Sequence, residues 1–198
     1  MDTWEIIMTA CIGLGLAASC GFRVFIPLLL ASVASRAEML QLAEGFEWIS
    51  SWPAIIALSV ATSLEIIAYY VPWLDNLLDT IAVPTATIAG IIVTAAFVHD
   101  VDPLLKWALA AIAGGGTAGV INAGTATVRA TSSVFTAGLG NSVVSTIELV
   151  AAFVLSILAF LAPIFAAVLG VVLAILLLRF AIGFFSRNKE KVEMAGAA

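Results

Sequence analysis

Charge is what this sequence has least of. Of its 198 residues only 11% are Asp, Glu, Lys or Arg, and it carries a single His and two Cys. Soluble domains hold about a quarter charged residues, so water is not this chain's solvent. Eight basic residues against thirteen acidic ones, a net charge of −5, leave no basic stripe for phosphates and exclude nucleic acid as a partner. One His, with no GxSxG or HExxH pattern, leaves no nucleophile with a base beside it, and an enzyme is not expected. Cys11 and Cys20 are nine residues apart, about 13 Å along a helix and half a turn out of phase, so they cannot pair within one helix and read as small packing residues.

What the sequence has is apolar length. Hydrophobic residues make up 63% and the mean hydropathy is +1.16. Five windows can span a bilayer: Trp4 to Leu30, Pro53 to Val71, Ile81 to Val98, Val143 to Ala162 and Ile164 to Phe185. A sixth, Leu104 to Val128, is richer in Gly and Thr. None shows the period-2 alternation of barrel strands, so the expected fold is an all-α integral membrane protein of about six transmembrane helices. The opening MDTWE has no basic residue, which argues against a secretory signal, and LAASC at Cys20 lacks the flank of a lipidation box.

The chain reads as one transmembrane domain, with a first repeat over 1–100, a second over 101–186 and a polar cytoplasmic tail over 187–198. Gly13, Ala17 and Arg23 have the spacing of Gly119, Ala123 and Arg129. A span with one acid follows each set, Glu65 or Glu148, and then a span with Pro84 and Gly90 or with Pro163 and Gly170. Three spans per half would make the copies inverted, an arrangement that transporters use with broken helices and a site between the repeats. As one helix, Trp4 to Ser35 would run about 48 Å against a core of about 30 Å, so it must tilt, break or turn back. Gly21 and Pro27 bracket Arg23 and offer the first break; Gly124 and the run Thr131, Ser132, Ser133 bracket Arg129 and offer the second. Two re-entrant hairpins or eight crossings are the alternatives. Arg179, Arg187, Lys189 and Lys191 at the end of the last span put the C-terminus in the cytoplasm, and counting back through six spans puts the N-terminus there too. The expected location is the cell's inner membrane. The connection from Arg36 to Trp52, with Glu38, Glu44, Glu47, Trp48 and Trp52, should lie at the opposite interface, where Trp73 and Trp107 also mark boundaries.

A charge at membrane depth costs about 2.5–3.5 kcal/mol and needs a partner or a wet cavity. Arg23, Glu65, Arg129 and Glu148 are therefore the candidate residues of a substrate or ion pathway, with Asn122, Asn141, Ser63 and Ser145 as polar neighbours; Ser19, Thr62, Thr125 and Ser142 belong to the same set. Either they form a solvated site in which Arg binds an anionic group or Glu exchanges protons, or they are ion pairs that staple helices. The small-residue series Gly13, Ala17, Gly21 and Gly115, Gly119, Ala123 reads as close helix packing, and faces left over could support a homodimer. GGGTAG at Gly114 to Gly119 lacks the Lys-Ser/Thr of a phosphate loop, and no cofactor is implied. His99, Asp100 and Asp102 have metal-ligand chemistry, but Asp102 before Pro103 reads as a helix N-cap. Asp75 and Asp79 fit a solvated turn.

GFRVFIPLLLAS at Gly21 to Ser32, SLEIIAYYVPWLD at Ser63 to Asp75 and GLGNSVVSTIE at Gly138 to Glu148 together resemble a bacterial family of multi-pass membrane proteins known as a domain of unknown function. The resemblance covers most of the chain, and Gly-Phe-Arg with Pro27 is its most specific part. It implies an acid where Tyr69 or Tyr70 stands and another directly after Glu148, where this chain has Leu149; both departures count against a mechanism that needs paired acids. The expected function is that of a membrane transporter or channel for a small solute or ion, with a non-transporting packing or assembly protein as the alternative.

Overall fold

A computed structural model describes residues 2–136 and 139–196; the side chains of 72, 73, 75–77, 79, 133–136, 139, 185 and 187–196 lie outside that description. Trp73, Asp75, Asp79, Ser133, Gly138 and the basic residues Arg187, Lys189 and Lys191 are therefore outside the described residues as sites. Every regular element described is helical: α1 Thr3–Phe22, α2 Phe25–Arg36, a short 3₁₀ turn Glu47–Ser50, α3 Trp52–Ala68, α4 Pro72–Phe97, α5 Pro103–Leu109, a π segment Ala110–Gly115, α6 Gly116–Thr136, α7 Leu139–Leu161 and α8 Pro163–Gly196. Five spans among the described residues are long and apolar enough to cross a membrane; α2 and α3 are shorter apolar helices. The chain is an all-α membrane protein.

Local chemistry sets the ends. α1 starts with a capping box, in which Asp2 accepts from the Glu5 amide at 2.9 Å and Glu5 accepts from the Asp2 amide at 3.0 Å. Ser51 caps α3, and Asp102 caps α5 by accepting from Leu104 at 2.9 Å, as its place before Pro103 led us to expect. α8 continues into the polar tail as far as Gly196.

α1 is the axis of the bundle, and small residues let its neighbours come close. A Cβ on Gly13 would lie 3.0 Å from the Thr94 backbone of α4, one on Gly15 would lie 3.0 Å from Ala159 of α7 and Ala166 of α8, and one on Gly21 would lie 2.6 Å from Ile121 of α6. In lipid, helices associate through such dispersion contacts. Ser19 donates to the Ala152 carbonyl at 2.5 Å and shares a hydrogen bond with Ser156 at 2.7 Å, fastening α1 to α7. Where α4 crosses the π segment, Gly114 faces Thr94 and Gly90, and Gly115 faces Ile91.

These contacts also give directions. Along α1, Gly15 meets Ala166 and Ala18 meets Gly170, so α1 and α8 run the same way. α7 runs against α1, with Ala159 at Gly15, Ala152 at Ser19 and Ser145 at Arg23. α6 runs with α1, since Thr94 touches Gly13 and Gly114 while Gly21 touches Ala118 and Ile121. The first apolar run breaks where Gly21 and Pro27 led us to expect: Arg23 is extended, with φ −141° and ψ 127°. From there α2 turns back, because the chain just beyond it, Leu40 and Gln41, borders a cavity with Met8, Thr9, Phe97 and His99 at the starting end of α1. That end is pinned by the Ala43 amide on the Ala96 carbonyl at 2.7 Å.

Three expectations change. The second break is absent: α6 runs through Arg129 without interruption, Gly124 serves to admit Leu177 of α8, and the Thr131 hydroxyl returns to the Thr127 carbonyl at 2.8 Å, which keeps the polar run helical. The irregularity lies instead in the π segment, some four turns earlier by helical pitch. The returning α2 adds a segment to the count of six, so the start of α1 and the end of α8 lie at opposite ends of the bundle rather than at the same end. Finally, α1 and α6, which carry the two Gly-Ala-Arg series, are parallel, whereas α3 and α7, which carry the two acids, are antiparallel; one inverting axis cannot relate both pairs.

Candidate functional site

Four buried charges meet where α1 breaks. Arg23, Glu65, Arg129 and Glu148 are 2%, 6%, 1% and 3% exposed. Each arrives from a different element: the α1–α2 break, α3, α6 and α7. Depth follows from helix lengths. Glu148 is thirteen residues from the end of α7, about 20 Å at 1.5 Å per residue, so the cluster lies well inside a core of about 30 Å.

The charges form two unlike arrangements. On one side Arg129 Nη1 donates to both oxygens of Glu148, at 2.6 and 2.5 Å. Arg23 Nη2 comes to 3.4 Å from the same carboxylate and donates to the Ser145 carbonyl at 2.9 Å. One acid thus serves two guanidiniums. On the other side Glu65 accepts from the backbone amides of Val24 at 2.8 Å and Phe25 at 3.1 Å. A helix start leaves up to four amides without partners, and its dipole favours a negative charge. Val24, at the cap position, offers no side-chain acceptor, and Pro27 in the first turn has no N–H, so the acid from α3 meets the need.

The carbonyl end of the break is served too. Asn122 of α6 donates its amide to the Gly21 carbonyl at 3.1 Å, and the Arg23 amide bonds Ser19. Tyr69, one turn after Glu65 on the same face of α3, lies under both guanidiniums, whose carbons are 3.7 Å (Arg23) and 5.2 Å (Arg129) from its ring centroid. Sequence reasoning treated Tyr69 only as the absence of an acid. Its i+4 spacing from Glu65 was the signal that could have found it.

Several buried polar atoms here have no partner among the described residues: Nε and Nη1 of Arg23, Oγ of Ser145, Oδ1 of Asn122 and Oγ1 of Thr62. Unpartnered donors on a charged group are rare in native proteins and carry the full desolvation penalty. Of the expected polar neighbours, Asn122 and Ser145 join the cluster and Asn141 stands one turn beyond Ser145, partly buried. Ser63 does not join: it is exposed on α3 and returns its hydroxyl to the Ser59 carbonyl at 2.8 Å. Thr125 bonds the Asn122 carbonyl and serves the helix.

His99, away from the cluster, bonds the Gln41 carbonyl at 3.1 Å at the starting end of α1. Arg36 lies over Trp52 and Lys106 over Phe46 at that same end, beside the exposed Trp48 and Trp107. Aromatic and basic residues gathered so are an interfacial belt. Cys11 and Cys20 are both free thiols.

A family model described as Domain of unknown function (DUF4126) matches residues 10–182, which contain the break, all four charges and Tyr69. The chain belongs to that family. No curated protein and no solved structure matches it.

Proposed function

We propose that this chain is a membrane transport protein for a small anion and that the break at Arg23 is where the anion binds. One observation carries the reading: Arg23 is buried to 2% exposure, yet its Nε and Nη1 have no acceptor among the described residues. Helix breaks at membrane depth are tolerated where they line a path or a site, and a guanidinium fork suits a small oxyanion. A cation is disfavoured, because two arginines face the centre and both acids are engaged, Glu148 by guanidinium and Glu65 by amides. A second reading has its own support. The Arg129–Glu148 pair is the closed, bidentate contact of a structural staple, and if Arg23 belonged with it the chain would be a packing or assembly protein without flux.

For the orientation we propose that the end of α8, with Arg179 and the basic tail, faces the cytoplasm and that the start of α1 faces the other side, along with the connection from Arg36 to Trp52. An Asp2→Cys variant should be labelled by an impermeant thiol reagent added to intact cells; protection there, with labelling only after lysis, contradicts it.

The transport reading is tested by reconstituting the purified chain in liposomes and following efflux of chloride, nitrate and sodium with selective electrodes. Nitrate and chloride should leave faster than from protein-free liposomes, and sodium should not. No flux at all would favour the second reading, and sodium flux would contradict an anion as the transported species.

A further inference from the structure

The start of α2 is a helix N-terminus buried inside the bundle, and what fills it is unusual. An ordinary cap comes from the residue at the helix start. Here that residue, Val24, supplies none, and the acceptor is a carboxylate 41 residues away on another helix. Both Glu65 oxygens go to amides, and the adjacent Arg23, held through Nη2 by the Ser145 carbonyl and Glu148, keeps two buried nitrogens, Nε and Nη1, without an acceptor among the described residues. Thr62, one turn before Glu65, has a buried hydroxyl in the same condition. α2 is 12 residues long, enough for the partial positive charge of a helix start to develop. Beside Glu65 a crevice of about 520 Å³ opens between α3 and α4, lined almost entirely by apolar side chains such as Leu64, Ile67 and Leu78.

We propose that the first turn of α2 with the free donors of Arg23 is a binding site for a small planar oxyanion, and that the Glu65 carboxylate is an internal occupant with which that anion competes. A carboxylate and a nitrate present the same planar pair of oxygens, so the amides of Val24 and Phe25 can hold either. The competitor keeps the site filled and closed, and the anion enters in exchange for it. The inference rests on the transport reading only for the class of ligand; the site itself is argued from the amides and the arginine.

The test uses the full chain, purified in detergent, melted in sodium nitrate or in sodium gluconate, an anion too bulky for the site, at equal ionic strength. Glu65→Ala should melt below wild type in gluconate and recover by several degrees, saturably, in nitrate, while wild type responds less. The double variant Arg23→Gln with Glu65→Ala should not recover. Absence of a nitrate response in Glu65→Ala beyond that of wild type, or an equal response in the double variant, overturns the proposal. If Glu65→Ala cannot be purified in gluconate, recovery of folded protein in nitrate alone supports the site. If it fails in both salts, Glu65→Gln is titrated in the same way, and no response overturns it. Melting requires no flux, so a nitrate response without efflux removes the transport reading and keeps the site, whereas efflux without the response does the reverse.

Discussion

The two sides of the charge cluster solve the same problem differently. At Arg129 the helix is continuous, the guanidinium grips Glu148 with one nitrogen on both oxygens, and residues on either side are spent on packing. At Arg23 the helix is broken, Glu65 is turned to backbone amides, Glu148 reaches only Nη2, at 3.4 Å, and Nε and Nη1 lack acceptors. A closed pair in a low dielectric is a fixed structure, since parting it strands both charges. An unsatisfied guanidinium beside a helix start is a place where a further anion is stabilised. The lesson is that a buried arginine is read by its partners: on the reading proposed above, the same residue type marks a staple on one side and a site on the other.

The largest effect should come from breaking the staple. Glu148→Gln leaves Arg129 and Arg23 without their shared counter-charge and should lower stability by about 3–5 kcal/mol, read by denaturant unfolding in mixed micelles. Adding Arg129→Met should restore part of that loss, which a double-mutant cycle measures as coupling. A Glu148→Gln variant as stable as wild type would erase the contrast between the two sides.

Next in size is the packing beneath the break. Gly21→Ala would set a methyl 2.6 Å from the Ile121 Cβ and 2.8 Å from the Ala118 carbonyl, and should cost about 1–3 kcal/mol by pushing α1 from α6. Gly116→Ala meets nothing within 4 Å and should be neutral or slightly stabilising. Equal melting of the two variants would contradict the close approach at the break.

Glu65→Gln should be milder than Glu148→Gln, about 1–2 kcal/mol, because one neutral acceptor replaces two charged ones and leaves one of the two amides without a partner, while no ion pair is parted. Tyr69→Leu should follow, at about 1 kcal/mol, from the lost contact of the ring with both guanidiniums. An effect of Glu65→Gln as large as that of Glu148→Gln would mean that Glu65 also acts as a counter-ion.

Much of this was legible in advance, and the misses have physical reasons. Apolar runs with sparse charge determine a helical membrane protein, and a 48 Å run cannot remain one helix, so the break between Gly21 and Pro27 could be placed from the residues alone. The matching break at Arg129 could not be excluded, because a polar run such as Thr131 and Ser132 suits a kink or a helix whose hydroxyls bond back to carbonyls one turn earlier; only the Thr131 to Thr127 bond decides. Reading α2 as part of the first span cost one segment and put the start of α1 and the end of α8 at the same end of the bundle. The four charges were found by their cost in lipid. Their pairing was not, since composition shows which groups need partners and not that Glu65 would answer two amides in place of an arginine.

The most direct test of the central contrast is Arg23→Met, measured for stability and for nitrate efflux in the same preparation. Removing a guanidinium with two unpartnered donors leaves the Arg129–Glu148 pair closed, so stability should stay within about 1 kcal/mol of wild type. Nitrate efflux from liposomes should fall to the level of protein-free controls. Efflux unchanged from wild type, or a loss of stability as large as that of Glu148→Gln, would show that Arg23 belongs to the staple and that the two sides are one structure.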